Sequence, residues 1–388
     1  MLTIFCYNCF DNSIIKRKFA LKNRLIALLL IITSLFALFS CGKEDKYPPI
    51  ESTDEEKKTV MTLSIDEEKY QIPYELYRAF FLQLKKSVDG GDESVWTSEN
   101  KAEFIEKIDS MIISRIGEIY AVFHLAAKAG IDPYSESINT RVREYIIEGV
   151  EGGGEGNVIF NGFNGDYEAY LASLKALYLN YSVQDLLIRY TITLSELTLY
   201  YAGNPDDNDP KKEHGALKYT SEDVKSFYDS EESVRVIRAY FSKDAFTEKR
   251  VGEIRDSIAA KESHNDVANY IIQYSLTSGE DIKNGEIIGK YSLDDRYYGD
   301  ITEAAFALGI GETSEVITLL TENEEGYAVI YRTDKNDEHF EKCYSSISMV
   351  YAENEIGKLL FNAQNALIES AEYKDVLKSL DRASISMD

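Results

Sequence analysis

The sequence predicts an α+β protein, mostly helical, in which helical segments near both ends of the chain enclose a β-rich segment. Apolar residues recur at spacings of three and four before about residue 230 and again after 340, as in amphipathic helices. β-branched and aromatic residues concentrate in short runs between 231 and 335. Glycine-rich or polar stretches separate these regions, so the chain is expected to form two helical segments around an inserted α+β segment.

The N-terminus has the pattern of a secretory signal. Five basic residues between Lys16 and Arg24 precede an apolar run over residues 25–40, which is short for a transmembrane helix. The run ends in Leu38-Phe39-Ser40-Cys41, which resembles a bacterial lipobox. That resemblance implies lipidation of Cys41 and a signal peptide over 1–41, with the protein anchored at the extracytoplasmic face of the cell membrane. The alternative is an ordinary signal anchor with a coincidental cysteine.

The cysteine positions limit the disulfides that we expect, and the net charge limits the partners. Cys6 and Cys9 lie in the segment expected to be removed, and a lipidated Cys41 would leave Cys343 without a disulfide partner. After Cys41 the chain has 37 basic and 66 acidic residues, a net charge of −29. This charge repels phosphate backbones, so nucleic acid is excluded as a partner. Residues 42–60 are polar, contain two adjacent prolines, and predict a flexible tether between lipid and domain.

Residues 61–230 form the first helical segment, after a possible short strand over 61–70. In its longest predicted helix, Ile108, Ile112 and Ile116 repeat on one face, and Gly130 marks the end. A Thr-x-x-Asp cap opens the last helix at Thr220. The predicted helices cover 74–88, 98–129, 135–147, 166–178, 181–203 and 220–230.

Residues 231–335 form the β-rich segment. Its strands are predicted at 234–242 and 326–332, and its first helices at 245–260 and 264–274. The stretch ITEAAFALGIGETSEVI (301–317) has the pattern of a helix, a tight glycine turn and a strand. The predicted order is β-α-α-loop-α-β-β. Residues 336–388 then return to one long helix, near 340–370, and a polar tail.

The β-rich segment resembles a parvulin domain, the small peptidyl-prolyl isomerase fold. The resemblance lies in an ordered set of short motifs: strand 234–242, Tyr274-Ser275, Asn284-Gly285-Glu286, residues 304–308, Gly311–Ser314 and Gly326-Tyr327. With the lipobox and the flanking helices, the chain resembles PrsA/SurA-type extracytoplasmic foldases. This implies a chaperone domain built from 61–230 and 336–388, an inserted parvulin-like domain over 231–335, and unfolded or newly exported proteins as partners.

The pocket positions depart from the parvulin pattern. By the resemblance, Ala239 and Ala328 replace the two pocket histidines, and Thr277 replaces a cysteine or aspartate. Because the histidines hold the hydrogen-bond network of the family's site, their loss predicts weak or absent catalysis. The pocket itself is expected to be lined by Tyr297 and Ile301, which replace a Met or Leu and a Phe of the family, and by Phe306.

No cofactor or metal site is expected. The four histidines, at 124, 214, 264 and 339, are far apart in sequence, and His124 on an apolar helix is interpreted as a core histidine. The glycine run at 152–156 lacks the ending of a phosphate-binding loop. Tyrosines of the helical segment either line a groove for client peptides or pack the core, and packing is favoured: Tyr167, Tyr170, Tyr178, Tyr181, Tyr190, Tyr200 and Tyr201.

Two main functions remain open at this stage. The protein is either a folding factor that acts mainly as a chaperone or an active peptidyl-prolyl isomerase, and a non-catalytic surface lipoprotein with a dedicated partner is a third reading. The sequence names neither the clients nor the oligomeric state.

Overall fold

A computed structural model describes residues 46–90, 92–97, 99–152, 162–203, 215–275, 277, 279–293, 295–320 and 325–386. These residues are mostly helical and include two small antiparallel sheets, which confirms the α+β class. They separate into two compact units. The terminal unit combines residues up to Leu197 with those from Leu359 onward, and the central unit spans Thr198–Lys358. Cys41 and the rest of the predicted signal peptide lie outside the described residues.

The terminal unit contains a three-stranded sheet, with strand order β2-β1-β7, and a set of helices. Helix α2 is long and apolar enough to cross a membrane, yet 56% of its most apolar window is buried inside the protein, as in a core helix. The elements are β1 Thr59–Ile65, β2 Glu68–Pro73, α1 Tyr74–Asp89, α2 Lys101–Lys128, α3 Glu136–Glu151, α4 Tyr167–Ala176, α5 Tyr181–Ala202, β7 Glu372–Tyr373 and α12 Asp375–Ser379.

The single strand predicted over 61–70 is a hairpin of β1 and β2. The chain reverses at Asp66-Glu67, where Asp66 adopts a φ of 53°. Asp accepts this left-handed conformation more readily than most residues, because its short polar side chain can bond locally. The turn was not predicted because Asp-Glu lacks the glycine or asparagine that usually marks a tight hairpin.

The predicted tether over 42–60 is not free along its whole length. From Lys46 onward the chain packs on the terminal unit, where Tyr47 is only 8% exposed. The Tyr47 ring lies 5.3 Å from that of Tyr167, whose hydroxyl donates to the Pro48 carbonyl at 2.8 Å. Composition alone indicates a flexible segment, but the aromatic contact of Tyr47 and the hydrogen bonds of Ser52 to Glu75 and Ser182 hold it on the terminal unit.

The two ends of the chain share one core in the terminal unit. Strand β7 pairs antiparallel with β1, and the Ser64 N–H donates to Ser370 Oγ at 2.6 Å. Gln364 Nε2 donates to the Ser114 carbonyl at 2.9 Å, which ties the last part of the long helix to α2. Leu367 is fully buried beside these contacts. The residues after Leu359 are therefore an integral part of this fold.

The central unit is built on a four-stranded antiparallel sheet with the order β4-β3-β6-β5. The loop predicted between the second helix and the 301–317 stretch contains a short helix, α9, and a strand, β4. The elements are α6 Ser221–Asp229, β3 Ser233–Ser242, α7 Glu248–Ala259, α8 His264–Ile271, α9 Gly279–Asn284, β4 Glu286–Gly289, α10 Asp295–Ala307, β5 Ile317–Leu320, β6 Glu325–Thr333 and α11 Asp337–Glu369.

Each face of this sheet is covered by a different group of helices. Ile237, Ala239 and Phe241 of β3 pack into a core with α7, α8 and α9. Val234 and Val236 of the same strand pack into a second core with Ile301 and Ala305 of α10. Alternate side chains of a strand point to opposite faces, so β3 contributes to both cores and is buried on both sides.

We predict that Leu367→Ala destabilises the whole terminal unit rather than only the end of α11. Removal of a fully buried leucine side chain costs about 2–5 kcal/mol, and Leu367 lies one helical turn after Gln364, which bonds α2. Hydrogen exchange should therefore rise in α2 as well as after Leu359. Phe361→Ala, at a side chain that is 47% exposed, is the control with a smaller effect. Unchanged exchange in α2 would contradict a shared core.

Candidate functional site

The candidate site lies on the α10 face of the central sheet, at a row of three side chains on neighbouring strands. Tyr240 of β3 is directly opposite Ala328 of β6, and Ala328 is directly opposite Ile317 of β5. We call these residues the cross-strand row. Tyr240 and Ile317 are half-buried and pack against the core that contains Ala328 and Ile301. The row therefore joins a buried apolar floor to the surface of the unit.

Helix α10 is fixed above this face by its C-terminal end. The Arg332 guanidinium donates to the carbonyls of Phe306 and Leu308, which no longer have partners within the helix. Gly311 then adopts a φ of 86°, and its N–H donates to the Arg332 carbonyl at 2.8 Å. A residue with a side chain would be strained at this φ, which explains the glycine of the 301–317 stretch.

Two of the predicted pocket residues lie on this face. Ile301 is 2% exposed within the α10 core, and Phe306 packs against the same core while half-buried. Tyr297 lies within α10, but its side chain is not among those described. The apolar side of the candidate site therefore includes Ile301 and Phe306.

Thr277 lies beside β3. By the parvulin resemblance, this position is expected to hold a cysteine or an aspartate. Its hydroxyl donates to the Arg238 carbonyl at 2.9 Å, and its N–H donates to Ser275 Oγ at 3.0 Å. The same Ser275 oxygen accepts the Tyr240 N–H at 3.0 Å. Ser275 and Thr277 thus hold the edge of the site to β3 by hydrogen bonds to its backbone.

A charged pair borders the row on its polar side. The Arg238 guanidinium lies 5.0 Å from the centre of the Tyr240 ring, in a cation–π contact. The guanidinium also forms an ion pair with Glu286 of β4, in which Nη2 donates to Oε2 at 2.8 Å and Nε lies 2.6 Å from Oε1. The Tyr240 ring therefore packs against the Arg238–Glu286 ion pair, which has no net charge, and this contact fixes the orientation of the ring.

Ala239 and Ala328 are not brought together. Ala239 is fully buried on the opposite face, in the core with α7, α8 and α9, and its cross-strand partner is Val329. Ala328 faces α10. Histidines at these two positions would point to opposite sides of the sheet, so the expectation that they mark one shared hydrogen-bond network does not fit this register.

Tyr240 is the functional candidate that the motif comparison missed. It is the residue opposite Ala328, and its hydroxyl is the polar group that the cross-strand row carries. The available signal was the alternation of β3, because a residue one position after Ala239 must face the other side of the sheet. The spacing of motifs along one strand does not tell which residue of β3 lies opposite Ala328.

The histidines that the structure describes lie in structural settings. His124 is buried, with Nδ1 3.0 Å from Glu68 Oε2 and 3.3 Å from the Tyr70 hydroxyl. His264 and His339 contact backbone carbonyls of the central unit, and His214 lies outside the described residues. Among the residues that the structure describes, no group of three or more His, Cys, Asp or Glu side chains could hold a metal ion.

Three of the seven tyrosines considered for a client groove, Tyr167, Tyr170 and Tyr181, pack within the terminal unit. Tyr170 and Tyr181 are buried, and the Tyr170 ring stacks on that of Tyr167 at 6.2 Å. Tyr200 is 44% exposed. A groove of about 270 Å³ lies elsewhere in the terminal unit and has a mixed lining, with apolar side chains such as Val60 and Leu377 and charged ones such as Lys58, Arg78 and Asp381.

Solved structures that this chain matches include PrsA foldases. The PrsA foldase of Streptococcus pneumoniae is 12% identical, with 83% of this chain and 96% of that chain covered and a TM-score of 0.24. PrsA of Bacillus subtilis is 17% identical over 72% of this chain and 92% of that chain, with a TM-score of 0.23. PrsA of Lactococcus lactis is 12% identical over 82% and 96%, with a TM-score of 0.22. The chain matches no protein-family model and no curated protein.

We predict that Ala239→His destabilises the central unit. The imidazole would enter a packed apolar core, where both its volume and its polar nitrogens are costly, by about 1–3 kcal/mol for each effect. Ala307→His is the matched control, because Ala307 is exposed on α10. Urea unfolding monitored in the central unit is the measurement. Equal stability of Ala239→His and the wild type would contradict the face assigned to this position.

Proposed function

We propose that this protein is a lipid-anchored, extracytoplasmic folding factor that binds unfolded or newly exported proteins and acts mainly as a chaperone. The observation that carries the proposal is the cross-strand row. It offers an aromatic ring and apolar side chains beside Ile301, and it contains no imidazole. In this proposal residues 231–335 are the parvulin-like domain, and 61–230 with 336–388 are the chaperone domain.

The chemistry of prolyl isomerisation explains why a site can bind a proline-containing client without accelerating its isomerisation. Rotation about a peptide bond crosses a barrier of about 18–20 kcal/mol, and an isomerase must bind the twisted amide better than the planar one. Apolar contacts with a proline ring are nearly the same in both states, so they give affinity without much acceleration. The Tyr240 ring, held by Arg238, supplies contacts of this kind.

An active isomerase is the second candidate, and one observation favours it. Tyr240 lies opposite Ala328 in the strand register, and its side chain carries a hydroxyl that can donate a hydrogen bond to the rotated carbonyl of a bound peptide. The two candidates differ in the size of the rate acceleration and in its dependence on that hydroxyl.

The proposed anchor is Cys41, supported by the basic, apolar and Leu-x-Ser-Cys pattern of residues 16–41. Two acyl chains on a cysteine anchor more strongly than a single chain, whose binding is marginal. Five residues separate Cys41 from Tyr47, which packs on the terminal unit. Six extended residue steps span about 20 Å, so lipidation would hold this unit near the membrane surface.

We predict that the processed protein in lipid nanodiscs suppresses aggregation of an unfolded client but accelerates a Xaa-Pro peptide far less than a parvulin with both histidines. Tyr240→Phe keeps the ring and removes the hydroxyl, so chaperone activity should persist and any residual rate should fall. A wild-type rate comparable to that of the reference parvulin, lost in Tyr240→Phe, would instead support the active isomerase.

We predict that Cys41→Ala abolishes membrane retention of the mature form or leaves the precursor unprocessed. The thiol is the only group at this position that can take the lipid, and Ala removes it with little change in size. Fractionation and intact mass measure both effects, and Cys343→Ala is the matched control because this cysteine lies in α11 of the central unit. Unchanged size and retention of Cys41→Ala would rule out lipid anchoring at this residue.

A further inference from the structure

Strand β5 is an outer strand of the central sheet, and one of its sides faces away from β6. In the sheet order β4-β3-β6-β5 it has a single neighbour, and its residues Ile-Thr-Leu-Leu pair with β6 in a continuous register. Outer strands of soluble proteins are commonly protected by a charged residue, a proline or a bulge, because their unpaired backbone groups attract further strands. Strand β5 has none of these features.

The register defines which backbone groups of β5 point outward. The Tyr240 N–H donates to Ser275 Oγ at 3.0 Å, and the Ser275 hydroxyl donates to the Tyr240 carbonyl at 3.4 Å, so both backbone groups of Tyr240 point away from β6. The backbone groups of Ala328, opposite Tyr240, then point toward Ile317 of β5. This direction alternates along a strand, so the N–H and carbonyl of Thr318 point outward.

A second set of contacts agrees with this assignment. Two residues after Ala328 on β6, the Ile330 N–H donates to Ser314 Oγ at 3.0 Å, and the Ser314 N–H donates to the Ile330 carbonyl at 2.8 Å. Ser314 precedes β5 in the chain, so these bonds lie on the β5 side of β6. Thr318 is exposed, and none of the described residues bonds its outward N–H or carbonyl.

The other side of the sheet is closed by side chains of neighbouring elements. Asn354 of α11 is fully buried, and its Oδ1 accepts the Tyr291 N–H at 2.9 Å, just after the end of β4. A Cβ on Gly289 would lie 2.8 Å from the same oxygen, so α11 packs closely against this end of β4. Beyond β4, Ser275 and Thr277 bond the backbone of β3. Backbone groups at these positions have partners, whereas those of Thr318 do not.

The side chains of β5 define what a further strand would contact. Ile317 and Leu319 are half-buried and pack with Phe306 and Leu308 on the α10 face, whereas Thr318 points to the opposite face. An added antiparallel strand would place the residue opposite Thr318 in solvent, and its two neighbours beside Ile317 and Leu319. This edge therefore fits an extended segment that has apolar residues at alternate positions.

Charge distinguishes a client segment from a second copy of this chain as the added strand. Glu312 and Glu315, just before β5, are both exposed, and the chain has a net charge of −25. Two copies with this charge repel each other, whereas a segment with basic residues at its polar positions is attracted.

We propose that β5 binds extended client segments as an added antiparallel strand, with apolar residues on the α10 side that alternate with basic residues. The proposal rests on the proposed chaperone function, and it assigns to that function a client class without a requirement for proline. Proline is unfavourable at the paired positions because it lacks the N–H that bonds the Thr318 carbonyl. A client strand paired in this way cannot pair with another client chain, so binding suppresses aggregation.

Methylated peptides test this pairing on the full processed protein by fluorescence anisotropy. The unmodified peptide alternates lysine and valine and contains no proline. Methylation of the backbone nitrogen of the central lysines removes the N–H groups that face β5, whereas methylation of the central valines removes N–H groups that face away. We expect the valine-methylated peptide to bind like the unmodified one, and the lysine-methylated peptide to bind about tenfold more weakly.

Thr318→Pro removes the outward N–H from the protein itself. This N–H is not part of the pairing with β6, so the sheet should persist while affinity for the unmodified peptide falls about tenfold. Thr318→Val is the matched control, because it keeps the N–H and a branched side chain, and it should bind as the wild type. If Thr318→Pro does not fold, the two methylated peptides decide the question with the wild-type chain.

Three results would overturn the proposal. They are equal binding of the two methylated peptides, no binding of the unmodified peptide, and a wild-type dimer that Thr318→Pro dissociates, which would assign the edge to a second copy. Suppression of client aggregation by the wild type, together with any of these results, would leave the proposed function intact. Selective binding of the valine-methylated peptide without any suppression of aggregation would support the pairing and contradict the proposed function alone.

Discussion

The register of β3 is the constraint on which the rest of the central unit depends. This strand pairs with β4 on one side and with β6 on the other, and its side chains enter the cores on both faces of the sheet. A shift by one residue would exchange the two faces and bury Arg238 under α7 and α8. The pairing therefore decides that Tyr240 faces α10 while Ala239 lies in the other core.

The long helices could be predicted from the sequence because their apolar faces repeat over several turns. Helix α1 was expected over 74–88 and spans Tyr74–Asp89, and the isoleucines predicted on one face of α2 are buried. Strands β4 and β7 have four and two residues, so they carry no usable periodicity. They are strands because a partner far away in the sequence pairs with them, and this information is not local.

The candidate site was predicted only in part for the same reason. Ile301, Phe306 and Ala328 belong to sequence motifs with a fixed spacing, and the structure places all three on the α10 face. Tyr240 is defined by the residue that lies opposite it on β6, which is a property of the register. Motif spacing follows a single strand and indicates Ala239, whereas the residue of β3 that faces the site is its neighbour Tyr240.

The two arginines of β3 illustrate how one strand serves both faces. Arg235 donates to the backbone carbonyls of Asn284 and Asp334, whereas Arg238 pairs with the Glu286 carboxylate in the candidate site. The chain has a net charge of −25, and this field alone would favour protonated histidines. At physiological ionic strength the field of a surface charge is screened beyond about 8 Å, so distant carboxylates have little effect on the protonation of a buried ring. The pKa of His339 is lowered first by burial and next by the adjacent Arg235 charge, which is opposite to the direction that this field favours.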